Sequence, residues 1–269
     1  MRQPSSIRRL GLRLRHGGVA WLWSALRDHC LPVRPSCWAQ VRAATLGQCG
    51  LEIGGPSRIF RRRGALPVYD WADRVDNVNF SHDTAWEHRL RDGGEFCFDK
   101  RKHPGRQWIL EAADLHGLAN EAYDVALSSH CLEHTANPLA ALREWWRVTR
   151  TGGCLLVIVP DRARTFDHRR PVTTLAHLRD YWERRTTEDD RTHFDEVLAM
   201  HDVTLDPGAG SPDAFRARVD NNALQRCIHH HVFDESLLGA ALSETGWTAV
   251  AVERFAPIHI AGLARKEAP

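Results

Sequence analysis

Two short blocks hold most of the residues that could do chemistry. The first is Gly50-Leu51-Glu52-Ile53-Gly54-Gly55-Pro56-Ser57, where a short apolar run carries an acidic residue and then breaks at a glycine pair. Glycine has no Cβ, so backbone at such a break can pass close to a flat, polar ligand, as it does where a buried strand hands over to a helix. The second block is Tyr123-Asp124-Val125-Ala126-Leu127-Ser128-Ser129-His130-Cys131-Leu132-Glu133-His134. It sets hydroxyls and an imidazole at the end of an apolar run. Histidine titrates near neutrality, which makes His130 a candidate proton acceptor.

These residues need elements to position them. From Gly50 onward, apolar runs alternate with amphipathic stretches, the pattern of a parallel sheet covered on both faces. Strands are expected at residues 49–53, 73–80, 107–112, 123–128 and 154–159, with two more at 248–255 and 258–264. A helix over 138–149 carries the apolar stripe Leu139, Leu142, Trp145, Trp146 and Val148, and Gly152-Gly153 stops it. Another over 235–245 is closed by Gly246. Residues 1–47 read as helical pieces broken at Gly17-Gly18, Pro32 and Pro35. The polar stretch 161–231 is too long for a simple connection, and a helical insertion over the mouth of the site is expected there.

Taken together with Asn137-Pro138 and the run Cys154-Leu155-Leu156-Val157-Ile158-Val159-Pro160, the two blocks resemble the class I S-adenosylmethionine-dependent methyltransferases. The resemblance is strongest to the type 11-like branch, whose fourth strand runs into a "LEH…NP" turn; it covers roughly residues 48–160 and resumes near the C-terminus. It implies an α/β fold: a Rossmann-like seven-stranded, mostly parallel sheet with helices on both faces and an antiparallel hairpin at one edge. An N-terminal helical arm (1–47) would precede the methyltransferase domain (48–269), with the insertion after strand five (161–231) as a substrate cap.

The same resemblance implies S-adenosyl-L-methionine as cofactor and distributes roles around it. Gly54 and Gly55 would pass under its methionine part, and Glu52 would bond its ammonium directly or through water. Asp76, with Asp70 behind it, would accept from both ribose hydroxyls. Asp114 would accept from the adenine amino group while the N–H of Leu115 meets the ring. Ser128 and Ser129 would bring carbonyls to the ammonium, and a buried Glu133-His134 pair would hold the turn. Pro56 stands where the family usually has glycine, which stiffens the loop and removes one N–H donor.

A sulfonium methyl is electrophilic without help, so the protein must chiefly align acceptor, methyl and sulfur and exclude water. Of the sixteen histidines, His130 follows the fourth strand and leads as the base. Asp161 and His168 follow the fifth strand, in a segment containing Thr165-Phe166-Asp167-His168-Arg169-Arg170, and would also face the acceptor. Similar methyltransferases encoded beside polysaccharide or glycan enzymes carry a like segment. The expected activity is therefore O-methylation of a small molecule or glycan by His-assisted in-line transfer. A non-catalytic scaffold or cofactor sensor, made conceivable by Pro56, is the alternative. A nicotinamide oxidoreductase is disfavoured because the full G-x-G-x-x-G pattern is missing. Asp161, His201-Asp202 and His229-His230-His231 offer ligand types for a divalent ion, but three adjacent histidines cannot point the same way, and no metal site is expected.

Composition adds boundaries. A net charge of +2 gives no reason to expect a nucleic-acid partner. The first fifty residues nonetheless hold eight arginines and one aspartate, so the arm can touch anionic lipid or a partner protein. The seven cysteines form no C-x-x-C pair, which favours a cytoplasmic chain with free thiols. No stretch approaches the ~20 apolar residues of a membrane span. The oligomeric state is left open.

Overall fold

The apolar runs pair side by side in one sheet. In the computed structural model, which describes residues 32–97, 102–206 and 208–268, the strands are β1 (Cys49–Ile53), β2 (Arg74–Asn79), β3 (Glu95–Phe96), β4 (Gly105–Ile109), β5 (Tyr123–Ser129), β6 (Thr149–Pro160), β7 (Thr248–Phe255) and β8 (His259–Arg265). Their spatial order is β3-β4-β2-β1-β5-β6-β8-β7. Strands β4, β2, β1, β5 and β6 run parallel, and β3, β8 and β7 join antiparallel. The order reverses between β1 and β5, which is where an open α/β sheet leaves a ligand crevice beyond its carboxyl ends. Eight strands replace the expected seven because β3 is a two-residue edge strand, too short to show a period.

The described helices are α1 (Trp38–Thr45), α2 (Val68–Trp71), α3 (Pro138–Val148), α4 (Leu175–Glu183), α5 (Phe194–Met200), α6 (Pro212–Asp220), α7 (Asn222–Gln225) and α8 (Glu235–Glu244). Asn137 starts α3: its side chain accepts from the Ala140 N–H at 3.1 Å, and Pro138 pre-sets the first turn. Leu139, Leu142, Trp145 and Val148 are buried in one core with Leu51, Ile53, Ala126 and Leu155 of the sheet. Each buried aliphatic side chain contributes about 1.5–3 kcal/mol. Trp145 also donates from Nε1 to the Ala112 carbonyl at 2.9 Å, so α3 packing positions the loop after β4. In a second core Val125 and Leu127 meet Val41 of α1 and Val68 of α2, as the two-residue strand period requires.

Of the expected arm, residues 1–31, including Arg8-Arg9 and Gly17-Gly18, lie outside the described residues. Its remainder is pinned at the start of α1, where Ser36 N and Oγ and Cys37 N donate to the Glu253 carboxylate of β7 at 2.7–2.9 Å. Helices α4 to α7 fall within residues 161–231, and Phe194, Val197, Phe215, Val219 and Ile228 form a small core of their own there. Among the described residues no helix is long and apolar enough to cross a membrane.

Candidate active site

Five parallel strands end on one rim, around a cavity of about 1230 Å³. Gly54 lines it from the end of β1 with a left-handed φ of 83°, and a β-carbon there would sit 2.8 Å from both Cβ and Sγ of Cys131. Only glycine satisfies both conditions. Gly55 faces inward instead, its missing Cβ making room 2.3 Å from the Glu52 carboxyl carbon.

Glu52 is therefore not available to a ligand's ammonium. It is fully buried, and it accepts from the Tyr69 hydroxyl at 2.5 Å and from Ser57 N–H at 3.0 Å, which ties the loop down from beneath. Burial pushes its carboxyl up to about 7, and the hydrogen bonds from Ser57 and Tyr69 offset this only in part. A carboxyl raised above its ordinary 4.5 binds its proton more tightly folded than unfolded, so this group's contribution to stability falls as pH rises from about 4.5 to about 7. Glu52→Gln should remove that decline. Melting temperatures of the two proteins, compared at pH 4.5 and pH 7.5, should diverge in favour of the variant at the higher pH; parallel profiles would mean that Glu52 is not raised.

The second strand also corrects an expectation. Asp76 lies inside β2, not at its end, and accepts from Tyr123 Oη at 2.8 Å and Arg106 N at 3.0 Å. Asp70 sits in α2, 3.8 Å from Arg62. The strand runs on to Asn79, which lines the cavity, donates from Nδ2 to the Gly55 carbonyl at 2.9 Å, and keeps a buried Oδ1 without a partner among the described residues. Beyond β4 the expected pair is displaced by three residues. Asp114 is exposed and bonded to His116, and Leu115 is fully buried with its N–H given to Glu144 at 2.9 Å. Glu111 and Ala112 face the cavity in their place.

At the end of β5, Ser128 is buried within the strand, whereas Ser129 and His130 reach the cavity. His130 has a φ of 53°, one of the few side chains that tolerate that region, and its N–H donates to the Ile158 carbonyl at 2.8 Å. Its Nε2 lies 2.9 Å from Nδ1 of His259, and its Nδ1 lies 3.5 Å from Glu133 Oε1. Burial, with His130 beside it, pushes the His259 imidazole down to about 3. Asp161 and His168 do not join this chain. Asp161 accepts from Ala163 N at 3.2 Å and neighbours Arg164 and Arg254, and His168 pairs with Asp202 at 3.0 Å.

Several cavity residues escaped the sequence reading. Arg226 donates to Glu111 at 2.8 Å, pairs with Glu188 and covers the Phe80 ring at 4.8 Å, so it ties the insertion to the sheet's rim. Trp86 donates to the Gly55 carbonyl at 3.2 Å. Glu133 is fully buried as expected, but it makes no hydrogen bond to His134, whose Nε2 is 4.0 Å away.

Residues 90–157, from just before β3 into β6, match the model of a methyltransferase domain. The match takes in β3, β4, β5, α3 and most of β6. Those residues carry the pattern of a methyltransferase domain, in agreement with the resemblance to the class I S-adenosylmethionine-dependent methyltransferases.

None of the curated proteins matches it in sequence. Solved structures similar to this chain include an S-adenosylmethionine-dependent methyltransferase from Methanosarcina mazei (14% identity, 88% of this chain and 100% of that one, TM-score 0.49). Another from Mesorhizobium loti has 16% identity over 86% and 98% of the two chains, with a TM-score of 0.48. A third is the 1,6-didemethyltoxoflavin-N1-methyltransferase of Burkholderia thailandensis, with 12% identity over 100% and 93% and a TM-score of 0.44.

S-adenosyl-L-methionine is the cofactor that this resemblance implies, and the rim has groups that would fit it. The unpartnered Oδ1 of Asn79 is an acceptor at the strand end where ribose hydroxyls are expected, Glu111 offers a carboxylate at the next, and Gly54 leaves backbone open between β1 and β5.

Proposed function

We propose that this protein methylates a hydroxyl oxygen on a small, polar, sugar-like acceptor, and that the His130-His259 pair takes the hydroxyl proton. The observation that carries this reading is the position of that pair: both imidazoles line the cavity where β5 ends and β8 begins, in contact with each other and backed by Glu133. When bound, the cofactor supplies an electrophilic methyl group, so no protein nucleophile is required. Ser129 and Gly54 border the same space from β5 and β1 and would hold the methionine end. His130 would receive or relay the proton that the attacking oxygen loses, as general bases do within hydrogen-bond reach. Thr165, Gln225 and Arg218 reach the cavity from the insertion and offer donors and acceptors suited to several hydroxyls. This supports residues 161–231 as an acceptor cap. Cys37, Cys49, Cys131, Cys154 and Cys227 form no disulfide, which fits a reducing cytoplasm.

The test is release of S-adenosylhomocysteine from S-adenosylmethionine in the presence of polyhydroxyl acceptors and of matched amines. Turnover should appear with a hydroxyl acceptor and yield a methyl ether by mass spectrometry. Methylation of amines alone would reject oxygen as the target, and cofactor binding without turnover on any acceptor would favour a sensor or scaffold.

A further inference from the structure

We infer that Glu133, His134 and His229 form a binding site for a first-row divalent cation of the zinc type, with its open coordination position facing the acceptor cavity. All three residues line that cavity, and one ligand atom from each lies within 4.8 Å of the others. Glu133 Oε1 stands 4.0 Å from His134 Nε2 and 3.9 Å from His229 Nε2. Those separations are too long for hydrogen bonds. Ligand atoms around a tetrahedral zinc, each bonded at about 2.0–2.1 Å, stand roughly 3.3–3.5 Å apart, so a small rotation of each side chain closes the set.

The hydrogen bonds behind the imidazoles fix which nitrogens are free. His134 Nδ1 meets the Ile228 carbonyl at 2.7 Å, and a carbonyl can only accept, so Nδ1 carries the proton and Nε2 presents a lone pair. His229 Nδ1 is bonded in the same way to Asp167, whose other oxygen accepts from the fully buried Arg170 at 3.0 Å. A carboxylate or carbonyl that orients an imidazole from behind is the usual outer support of a metal ligand. Two lone pairs thus converge on a carboxylate. Glu133 is fully buried and neither of its oxygens makes a hydrogen bond among the described residues, the nearest further donor being His130 Nδ1 at 3.5 Å, a costly arrangement for a carboxylate that a cation would complete.

A second histidine group, His177, His193 and His231, also satisfies a loose distance criterion. There His177 Nε2 and His193 Nε2 already bond each other at 3.1 Å, and His231 Nε2 bonds the Ala136 carbonyl at 2.9 Å. One nitrogen of each is spent on the fold, His231 Nδ1 is left without a partner among the described residues, and none of the three lines the cavity. The adjacent triplet does point three ways, and only His229 reaches the cavity.

A cation with two histidines, one carboxylate and an open position acts as a Lewis acid on a bound oxygen. Resting on the O-methylation reading above, it would hold the acceptor hydroxyl and lower its pKa beside the His130-His259 pair.

The full-length protein, stripped with a chelator and dialysed, is titrated with Zn²⁺ by calorimetry and with Co²⁺ by visible absorption. We expect one ion per chain, with Co²⁺ giving the strong visible bands of a four- or five-coordinate site. Glu133→Gln, close in shape, and His229→Ala should each weaken Zn²⁺ binding by about 100-fold or more, and Asp167→Asn by about 10–100-fold. S-adenosylhomocysteine affinity is measured on the same samples. Zn²⁺ that binds wild type and Glu133→Gln alike, or that is lost in His193→Ala in place of His229→Ala, overturns the site. S-adenosylhomocysteine binding without Zn²⁺ binding also overturns it and leaves the methyltransferase reading intact. Zn²⁺ binding without S-adenosylhomocysteine binding upholds the site and counts against the methyl-transfer reading.

Discussion

Replacing Gly54 by arginine is expected to abolish S-adenosylmethionine binding. The residue has a left-handed φ of 83° and lines the cavity at the point where β1 and β5 part. Any side chain there must leave the left-handed region or press on Cys131, because the first carbon alone would be 2.8 Å from Cβ and Sγ. Backbone adjustment would push the loop into the space the cofactor needs, and the guanidinium would fill what remains. S-adenosylhomocysteine affinity measured by calorimetry should fall at least about 1,000-fold, which is about 4 kcal/mol of binding free energy. Gly54→Ala should fall between, since it carries the strain and the contact without the bulk. Unaltered affinity in a folded Gly54→Arg protein would move the cofactor away from this rim.

The second large effect concerns His130. His130→Asn should lower turnover by about 10²–10⁴-fold, the usual contribution of a positioned acid or base, while changing cofactor affinity by no more than about twofold. Asparagine is chosen because it tolerates the φ of 53° and leaves the N–H bond to Ile158 in place. The substitution therefore removes an imidazole, not a turn. Alanine at His259 should act in the same direction, because His130 Nε2 and His259 Nδ1 lie 2.9 Å apart and would share any proton taken there. Full turnover in both variants would show that the acceptor gives up its proton elsewhere.

How much of this was legible in the chain differs from strand to strand. β1 and β5 were readable to within a residue because each is a buried apolar run closed by turn residues. β2 was not. Its residues Val75 to Asn79 are all buried, so nothing in the run says where it stops. Register does: β1 pairs Glu52 with Asn77 and Ile53 with Val78, which carries the rim out to Asn79 and leaves Asp76 within the sheet. Beyond β4 the error has the opposite sign. The strand begins at Gly105, whose missing β-carbon would lie 1.7 Å from the Val75 carbonyl, and it ends at Ile109, earlier than its apolar content implies. The loop thus opens at Leu110, and Glu111 takes the place given to Asp114. The approach of His229 to Glu133 depends on how the insertion folds back, and no local pattern records it.

The bond from the His130 N–H to the Ile158 carbonyl has a further consequence. The imidazole is hung from the main chain of the sheet, whereas many of the groups that would select the acceptor hang from the insertion. Mutations that reshape residues 161–231 can alter which molecule is accepted without disturbing the donor end. A lineage could in this way change its product while its chemistry stays constant, and directed evolution of new acceptors would begin most profitably at Thr165, Arg218 and Gln225.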